Sequence, residues 1–178
     1  VRKYPGMISH LNADLPDFNG DGYTDLLLWN TDRPSVSVSS IARMAVQQDW
    51  PVRLTAHLFD ADAGRYTAKP FSAMEVRASL DVLMRTRYRA PLLHSVVDDI
   101  DGDGRTDLAF SADGQTYVLW LMTGDSPRVE EVALDERIEG LAFAQALDDS
   151  GRVTIGLRTA STLYVVDAEW GGGRPFTR

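Results

Sequence analysis

Apolar residues along this chain fall in short runs that polar turn residues interrupt. Residues 26–29 read LLLW and residues 116–122 read TYVLWLM, and Gly, Asp, Ser or Pro stand between such runs. Runs of about four to seven residues rich in Val, Leu, Tyr and Trp are typical of β-strands, and the intervening residues favour tight turns. The pattern therefore predicts an all-β fold that is built from hairpins.

Two stretches of the chain are nearly identical, DFNGDGYTDLLLW at 17–29 and DIDGDGRTDLAF at 99–110. Superposing Gly22 on Gly104 gives an offset of 82 residues, and the aspartates and the apolar runs that follow them then coincide. Internal similarity of this kind indicates that one structural unit occurs more than once.

A weaker third copy follows 47 residues after the second, where Gly151 takes the place of Gly104. Three of its four acidic positions have been replaced, so we expect it to lack the acidic loop of the other two copies. Asp99, Asp101, Asp103 and Asp107 correspond there to Ala146, Asp148, Ser150 and Thr154.

An interval of 47 residues suits one four-stranded blade of a β-propeller, which must stack on neighbours because it cannot cover its own faces. We expect a single propeller-like domain over residues 1–178, with about three blades in an incomplete ring. The interval of 82 residues then holds one blade and an insertion of about 35 residues. The blades are predicted at about 7–49, 90–135 and 136–170, and the insert at about 50–90.

The predicted insert has two interpretations. Residues 72–84 fit a short amphipathic helix, because Ser72 and Glu75 form a capping-box pattern at its start. The same residues fit another pair of strands equally well, and the residues before them predict a β-hairpin around 61–64. In the helical interpretation one face carries Ala73, Val76, Leu80 and Leu83.

The acidic loops share the spacing D-x-[DN]-x-D-G-x-x-D, with side-chain oxygens at positions 1, 3, 5 and 9. Alternate positions of a tight loop point the same way, so the oxygens converge, and like charges there repel unless a cation lies among them. Glycine at position 6 supplies the positive φ of the turn, and the carbonyl of position 7 is the natural fifth ligand. The predicted ligands are Asp17, Asn19, Asp21, Tyr23 and Asp25 in the first loop, and Asp99, Asp101, Asp103, Arg105 and Asp107 in the second.

The type of ligand predicts the ion. Mixed oxygen ligands suit Ca²⁺ at about 2.3–2.6 Å, whereas Mg²⁺ demands a stricter octahedron and Zn²⁺ prefers His or Cys. An EF-hand is excluded, because its loop ends in a bidentate Glu at position 12, where this chain has Leu28 and Phe110. The sequence therefore predicts two calcium sites of another loop type.

The two loops, with the D-L-[LA]-[LF] segments that end and follow them, resemble calcium-binding repeats of the FG-GAP or VCBS type. Such repeats occur in integrin α-subunit-like β-propellers and in many bacterial surface and secreted proteins. The resemblance implies that each loop joins two strands of a blade and binds calcium through positions 1, 3, 5, 7 and 9. It also implies an exported protein, either extracellular, at the cell surface or periplasmic. Residues 40–90 match nothing in that family.

Charge and composition exclude several partners. The net charge of −8 and the pI near 4.8 argue against nucleic acid or an anionic membrane, which both require a positively charged face. No run approaches the ~18 apolar residues of a membrane-spanning helix, so we expect no membrane insertion. The absence of cysteine excludes disulfides and thiolate metal sites. Because the chain begins with Val1, we expect a processed or excerpted segment. With about three blades, we expect either an excerpt of a larger propeller, whose remainder is then its partner, or an open stack of blades that a partner completes.

No catalytic motif is visible, since G-x-S-x-G, the P-loop and G-x-G-x-x-G are all missing. Asp60 and Asp62 imitate half of a metal loop, but a hairpin turn explains them better. We therefore predict a non-catalytic, calcium-binding module for adhesion, ligand binding or scaffolding, with a protein or carbohydrate as its ligand. The alternative is an accessory domain that holds substrate or encloses cargo in a larger secreted enzyme or toxin.

Overall fold

The computed structural model describes residues 7–8, 16–31, 49–79, 81–82, 92–124, 127–146, 149, 151–168 and 174–176. Every strand pair among them is antiparallel, and helical conformation in these ranges is limited to Asp81 and Val82. The predicted all-β fold class is confirmed.

Three four-stranded sheets and one short hairpin contain the described strands. Sheet 1 consists of β1 (Met7–Ile8), β2 (Leu26–Thr31), β3 (Asp49–His57) and β6 (Ser72–Ser79). The hairpin consists of β4 (Phe59–Asp60) and β5 (Arg65–Tyr66) and lies between β3 and β6 in the chain. Sheet 2 consists of β7 (Leu93–Asp98), β8 (Asp107–Ser111), β9 (Thr116–Leu121) and β10 (Arg128–Ala133). Sheet 3 consists of β11 (Gly140–Ala146), β12 (Val153–Arg158), β13 (Leu163–Val166) and β14 (Arg174–Phe176).

The order of strands within each sheet is the order in which they occur in the chain. A four-stranded meander of this kind is the strand arrangement of one propeller blade. The three sheets therefore agree with the predicted blade-like architecture.

Sheet 2 packs against both of the other sheets, because its two inner strands send alternate side chains to opposite faces. Every residue of β8 is buried for this reason. The core shared with sheet 1 includes Leu108, Phe110 and Trp120 of sheet 2 with Trp29 and Leu54 of sheet 1. The core shared with sheet 3 includes Ala109, Leu119 and Leu121 of sheet 2 with Ile155 and Leu157 of sheet 3.

The helical interpretation of residues 72–84 is wrong for its first part, since residues 72–79 form β6. This strand pairs with β3 over eight consecutive residue pairs, and that pairing satisfies its backbone more completely than one short helix would. Val76 and Ala78 are buried while Glu75 and Arg77 are exposed, an alternation of period two. Leu80 and Leu83, which the helix would have aligned, lie outside the described residues.

Sheet 1 differs from the predicted boundaries. The predicted blade at 7–49 and the predicted insert at 50–90 meet within β3, and both β3 and β6 belong to sheet 1. The β4–β5 hairpin encloses the turn predicted around 61–64. Sheets 2 and 3 lie at 93–133 and 140–176, close to the predicted 90–135 and 136–170.

Candidate metal centre

The two acidic loops lie at corresponding places in neighbouring sheets. Loop 1 comprises residues 17–25 and leads into β2, the second strand of sheet 1. Loop 2 comprises residues 99–107 and joins β7 to β8, the first two strands of sheet 2. We number both loops from position 1 to position 9 in chain order.

The aspartate at position 1 organises each loop by accepting three backbone hydrogen bonds. One carboxylate oxygen accepts from the N–H groups of positions 4 and 5, and the other accepts from position 6. These donors fix the orientation of the carboxylate. In loop 1, Asp17 accepts from Gly20 at 2.8 Å, Asp21 at 3.1 Å and Gly22 at 2.7 Å. In loop 2, Asp99 accepts from Gly102 at 2.8 Å, Asp103 at 3.0 Å and Gly104 at 2.8 Å.

Positions 3, 5 and 7 repeat a second set of contacts. The side chain of position 5 accepts from the N–H of position 7, and the side chain of position 3 accepts from the N–H of position 5. The first distance is 2.9 Å for Tyr23 to Asp21 and 3.0 Å for Arg105 to Asp103. The second is 3.2 Å in loop 1 and 3.3 Å in loop 2. The same nine-residue spacing therefore produces the same turn in both sheets.

Glycine at position 6 has the left-handed backbone that the spacing requires. The φ angle is 84° at Gly22 and 86° at Gly104, and no atom lies within 4 Å of the place where a Cβ would stand. Gly151, which corresponds to them in the third copy, has a φ of 77°. The third copy thus keeps the left-handed glycine, although Thr154 stands where the other copies have the position-9 aspartate. Asp148 and Ser150 of that copy lie outside the described residues.

The aspartate at position 9 ties each loop to the residues that follow the next strand. It is nearly inaccessible to solvent, with 4% exposure for Asp25 and 0% for Asp107. Because a buried carboxylate is costly without hydrogen bonds, each one is surrounded by N–H donors. Asp25 accepts from Phe18 and Phe59, both at 2.8 Å. Asp107 accepts from Ile100 at 2.9 Å, Asp101 at 3.3 Å and Met122 at 2.6 Å.

The electrostatics of the loops disfavour so many negative charges without a counterion. Burial raises the pKa of Asp25 to about 6, against its backbone hydrogen bonds, and the charges of Asp21 and Asp17 raise it further. Burial likewise raises the pKa of Asp107 to about 7, and the charge of Asp101 adds to the effect. The pKa of Asp101 is itself raised by burial and by its acidic neighbours in the loop. A cation bound among these carboxylates would offset their mutual repulsion.

Loop 2 brings three carboxylates together at a spacing that suits an ion. One oxygen each of Asp99, Asp101 and Asp107 lies within 4.8 Å of the other two. Two ligands on opposite sides of Ca²⁺ are about 4.6–5.2 Å apart, so a single ion can reach all three oxygens. Asp103 is not part of this trio, and no other His, Asp or Glu trio in the described ranges comes as close. These three oxygens could therefore hold a metal ion that prefers hard ligands.

Loop 1 differs because an amide stands at position 3. Asn19 donates from Nδ2 to Oδ2 of Asp21 at 2.8 Å, and Oδ1 of Asn19 accepts from the backbone N–H of Asp21. The amide oxygen is still a hard ligand, but it brings no charge. Tyr23, at position 7, is 48% exposed, and its ring lies 5.7 Å from that of Phe59. The carbonyl oxygens of Tyr23 and Arg105 stay predicted ligands.

The two loops are in direct contact. The N–H of Asp17 donates to Oγ1 of Thr106 at 3.0 Å, and the N–H of Thr106 donates to the carbonyl of Asp17 at 2.8 Å. A polar cleft of about 370 Å³ opens beside this contact, with Asp98, Asp99 and Arg105 among its lining residues. Residues of both loops therefore line this cleft, Asp17 from loop 1 and Asp99 from loop 2.

Several contributors to the loops were missed in the sequence. Thr106 connects the loops, and Phe59 and Met122 donate to the position-9 aspartates from distant parts of the chain. The occurrence of Thr at position 8 in both copies was the one visible indication. Asp60, by contrast, caps a hairpin turn by accepting from Ala63 at 3.0 Å, as predicted.

Comparison of the chain with family models, curated proteins and solved structures finds no match. The resemblance to FG-GAP or VCBS repeats accordingly depends on the residues of the two loops alone.

Proposed function

We propose that this protein is a calcium-binding, non-catalytic module of the β-propeller type, with one ion in loop 1 and one in loop 2. The observation that carries the proposal is that one hydrogen-bond scheme occurs twice, in neighbouring sheets, around oxygen-rich loops. One side-chain oxygen is enough to form an ordinary turn. The further carboxylates within the same nine residues repel one another unless a cation lies among them. The proposed ligands are those predicted from the sequence.

The ion would stabilise the stacked sheets. Position 9 of each loop is held by backbone groups from the loop itself and from beyond the next strand, so a bound ion would connect three parts of one sheet. At about 1 mM free calcium and a dissociation constant of about 0.1 mM, each site would add about 1.4 kcal/mol to the free energy of unfolding. That contribution is structural rather than catalytic.

The resemblance of the two loops to FG-GAP or VCBS repeats supports an exported protein that serves adhesion, ligand binding or scaffolding. The millimolar calcium of extracellular fluid would occupy sites of the affinity assumed above. The net charge of −8 supports a partner other than nucleic acid. Among the described residues there is no helix of the length and hydropathy needed to cross a bilayer. A protein or carbohydrate partner is part of the proposal.

Isothermal titration calorimetry of the chelator-treated protein with CaCl₂ tests the sites. We expect two ions per chain, one ion after Asp21→Ala or Asp103→Ala alone, and none after both changes. Asp62→Ala is the matched control, because Asp62 is an exposed aspartate in the β4–β5 turn. Two ions bound by the double variant, or none by the unchanged protein, would falsify the proposal.

A further inference from the structure

The contact between the loops is placed at the residue that organises loop 1. Asp17 holds the N–H groups of three other loop residues through its side chain, and its own backbone N–H and carbonyl both bond to Thr106. Thr106 in turn stands at position 8 of loop 2, between Arg105 and Asp107. Any change in the order of loop 2 therefore reaches the centre of loop 1.

The loops also pack closely. A Cβ at Gly20 would lie 3.2 Å from the carbonyl oxygen of Gly104 and 3.5 Å from Cγ of Arg105. Arg105 is held in place by hydrogen bonds from Nη1 to the carbonyls of Met122 at 3.3 Å and Gly124 at 2.6 Å. Loop 1 thus rests on a part of loop 2 that is anchored to the end of β9.

We propose that the two loops bind calcium cooperatively, and that the hydroxyl of Thr106 carries much of the coupling. This inference rests on the proposed function. An ion in loop 2 would order positions 7 to 9 and thereby hold Thr106 against Asp17, so loop 1 would lose less conformational freedom when its own ion binds. A second ligand that binds an already ordered structure does so more tightly, and the effect is reciprocal.

Repulsion between two bound ions acts in the opposite direction. Gly102, Asp103 and Gly104 of loop 2 and residues 20–23 of loop 1 are exposed, so salt screens this repulsion over a Debye length of about 8 Å at 0.15 M. The hydrogen bonds at Thr106 are short-range contacts that salt affects little. Coupling through Thr106 should therefore persist, or increase, as KCl is raised.

Site-resolved titrations with CaCl₂ distinguish the loops, because the amide of Gly22 donates to Asp17 and the amide of Gly104 donates to Asp99. Their ¹⁵N resonances report loop 1 and loop 2 separately. Asp103→Ala is used to disable loop 2, since Asp103 is exposed and its carboxylate accepts one backbone bond, from Arg105. We expect this change to raise the dissociation constant of loop 1 about fivefold.

Thr106→Val removes the hydroxyl and keeps the shape of the side chain. When the protein already carries Thr106→Val, adding Asp103→Ala should raise the dissociation constant of loop 1 by less than about twofold. When it carries Thr106→Ser, adding Asp103→Ala should still raise that constant about fivefold. Thr24→Val is the matched control, because Thr24 holds position 8 of loop 1 and makes no hydrogen bond to the described residues of loop 2. It should leave the fivefold coupling unchanged.

The outcomes separate the two proposals. If neither glycine resonance responds to millimolar calcium, the proposed function fails, and the coupling fails with it. If both respond but Asp103→Ala leaves the affinity of loop 1 unchanged, the sites are independent and the coupling alone is refuted. Coupling that survives in Thr106→Val assigns it to other contacts and overturns the role of Thr106. Should Thr106→Val not fold, Thr106→Ala removes the same hydroxyl and takes its place in the comparison with Thr106→Ser.

Discussion

Loop 1 and loop 2 share one hydrogen-bond scheme but have different surroundings. Loop 2 has four carboxylates where loop 1 has three and an amide, and its position-9 aspartate accepts three N–H groups where that of loop 1 accepts two. Loop 2 belongs to the sheet that packs on both faces. The comparison teaches that the spacing of Asp, Asn and Gly residues determines the shape of such a loop. The stacking of the sheets determines how deeply its carboxylates are buried, and therefore the free energy that their charges cost.

The largest expected difference concerns position 9. Asp107→Ala leaves two buried N–H groups and one partly buried N–H group without an acceptor, and should lower the free energy of unfolding by about 3–5 kcal/mol. Asp25→Ala leaves two donors and should cost about 2–3 kcal/mol. Urea denaturation with excess chelator measures both without any contribution from calcium. Equal losses would contradict the greater burial of loop 2.

The pH dependence of the chelated protein should also differ between the loops. The pKa of each position-9 aspartate is raised on folding, so the folded protein binds a proton at this group more tightly than the unfolded chain does. The resulting contribution to the free energy of unfolding is complete below about pH 4 and is lost as pH rises. The loss should extend to about pH 6 for Asp25 and to about pH 7 for Asp107. The resulting decrease in the free energy of unfolding should be on the order of 3 kcal/mol for Asp107.

Urea midpoints measured from pH 4 to pH 8 check this prediction. Asp107→Asn should remove most of the decline between pH 6 and pH 7, while Asp25→Asn should leave that interval unchanged. Each variant keeps one side-chain oxygen but places an NH₂ group opposite a backbone donor, because both oxygens of each aspartate accept N–H groups. That change lowers stability by an amount independent of pH, so the charge is read from the slope against pH and not from the midpoint at one pH. A midpoint that is independent of pH in the unchanged protein would show that neither pKa is raised.

The contact between the loops predicts a difference between two glycines of loop 1. Gly22→Ala incurs only the strain of a positive φ, about 1–2 kcal/mol, because its surroundings are open. Gly20→Ala has a φ of 74° and also approaches the carbonyl oxygen of Gly104, so we expect about 2–3 kcal/mol. Thermal or urea unfolding in chelator compares the two variants directly. Equal losses for the two variants would indicate that the loops do not touch in solution.

The smallest expected effect comes from exchanging the residues at position 3. Asn19→Asp gives loop 1 the donor set of loop 2 and should tighten its calcium binding by about 1 kcal/mol, roughly fivefold. Asp101→Asn should weaken loop 2 by a similar factor. Titration followed at Gly22 and Gly104 resolves each loop. A loop 1 affinity that does not respond to the added charge would indicate that position 3 is not a ligand.

The sequence predicted what depends on neighbouring residues. The turn of each loop follows from side-chain to backbone bonds within nine residues, so the spacing of Asp17, Asp21 and Gly22 was sufficient to locate it. The hairpin between β4 and β5 is local for the same reason. Calcium in these loops stays a prediction that the titrations above test.

Features that depend on distant residues were not predictable in this way. Thr106 reaches Asp17 across 89 positions of the chain, and Phe59 reaches Asp25 across 34. Residues 72–79 carry both a helical and an alternating pattern, and the choice between them was decided by pairing with β3. No window of local sequence contains that information.

The double-sided burial of sheet 2 has a consequence for hydrogen–deuterium exchange. β8 and β9 have a hydrogen-bonded strand on each edge and a packed sheet on each face, so no local fraying exposes their amides. Their protons should exchange only through global opening, and the slowest rates would then give the stability of the entire stack. The amides of the exposed turn at 61–64, which joins two strands that pair with no third strand among the described residues, should exchange orders of magnitude faster.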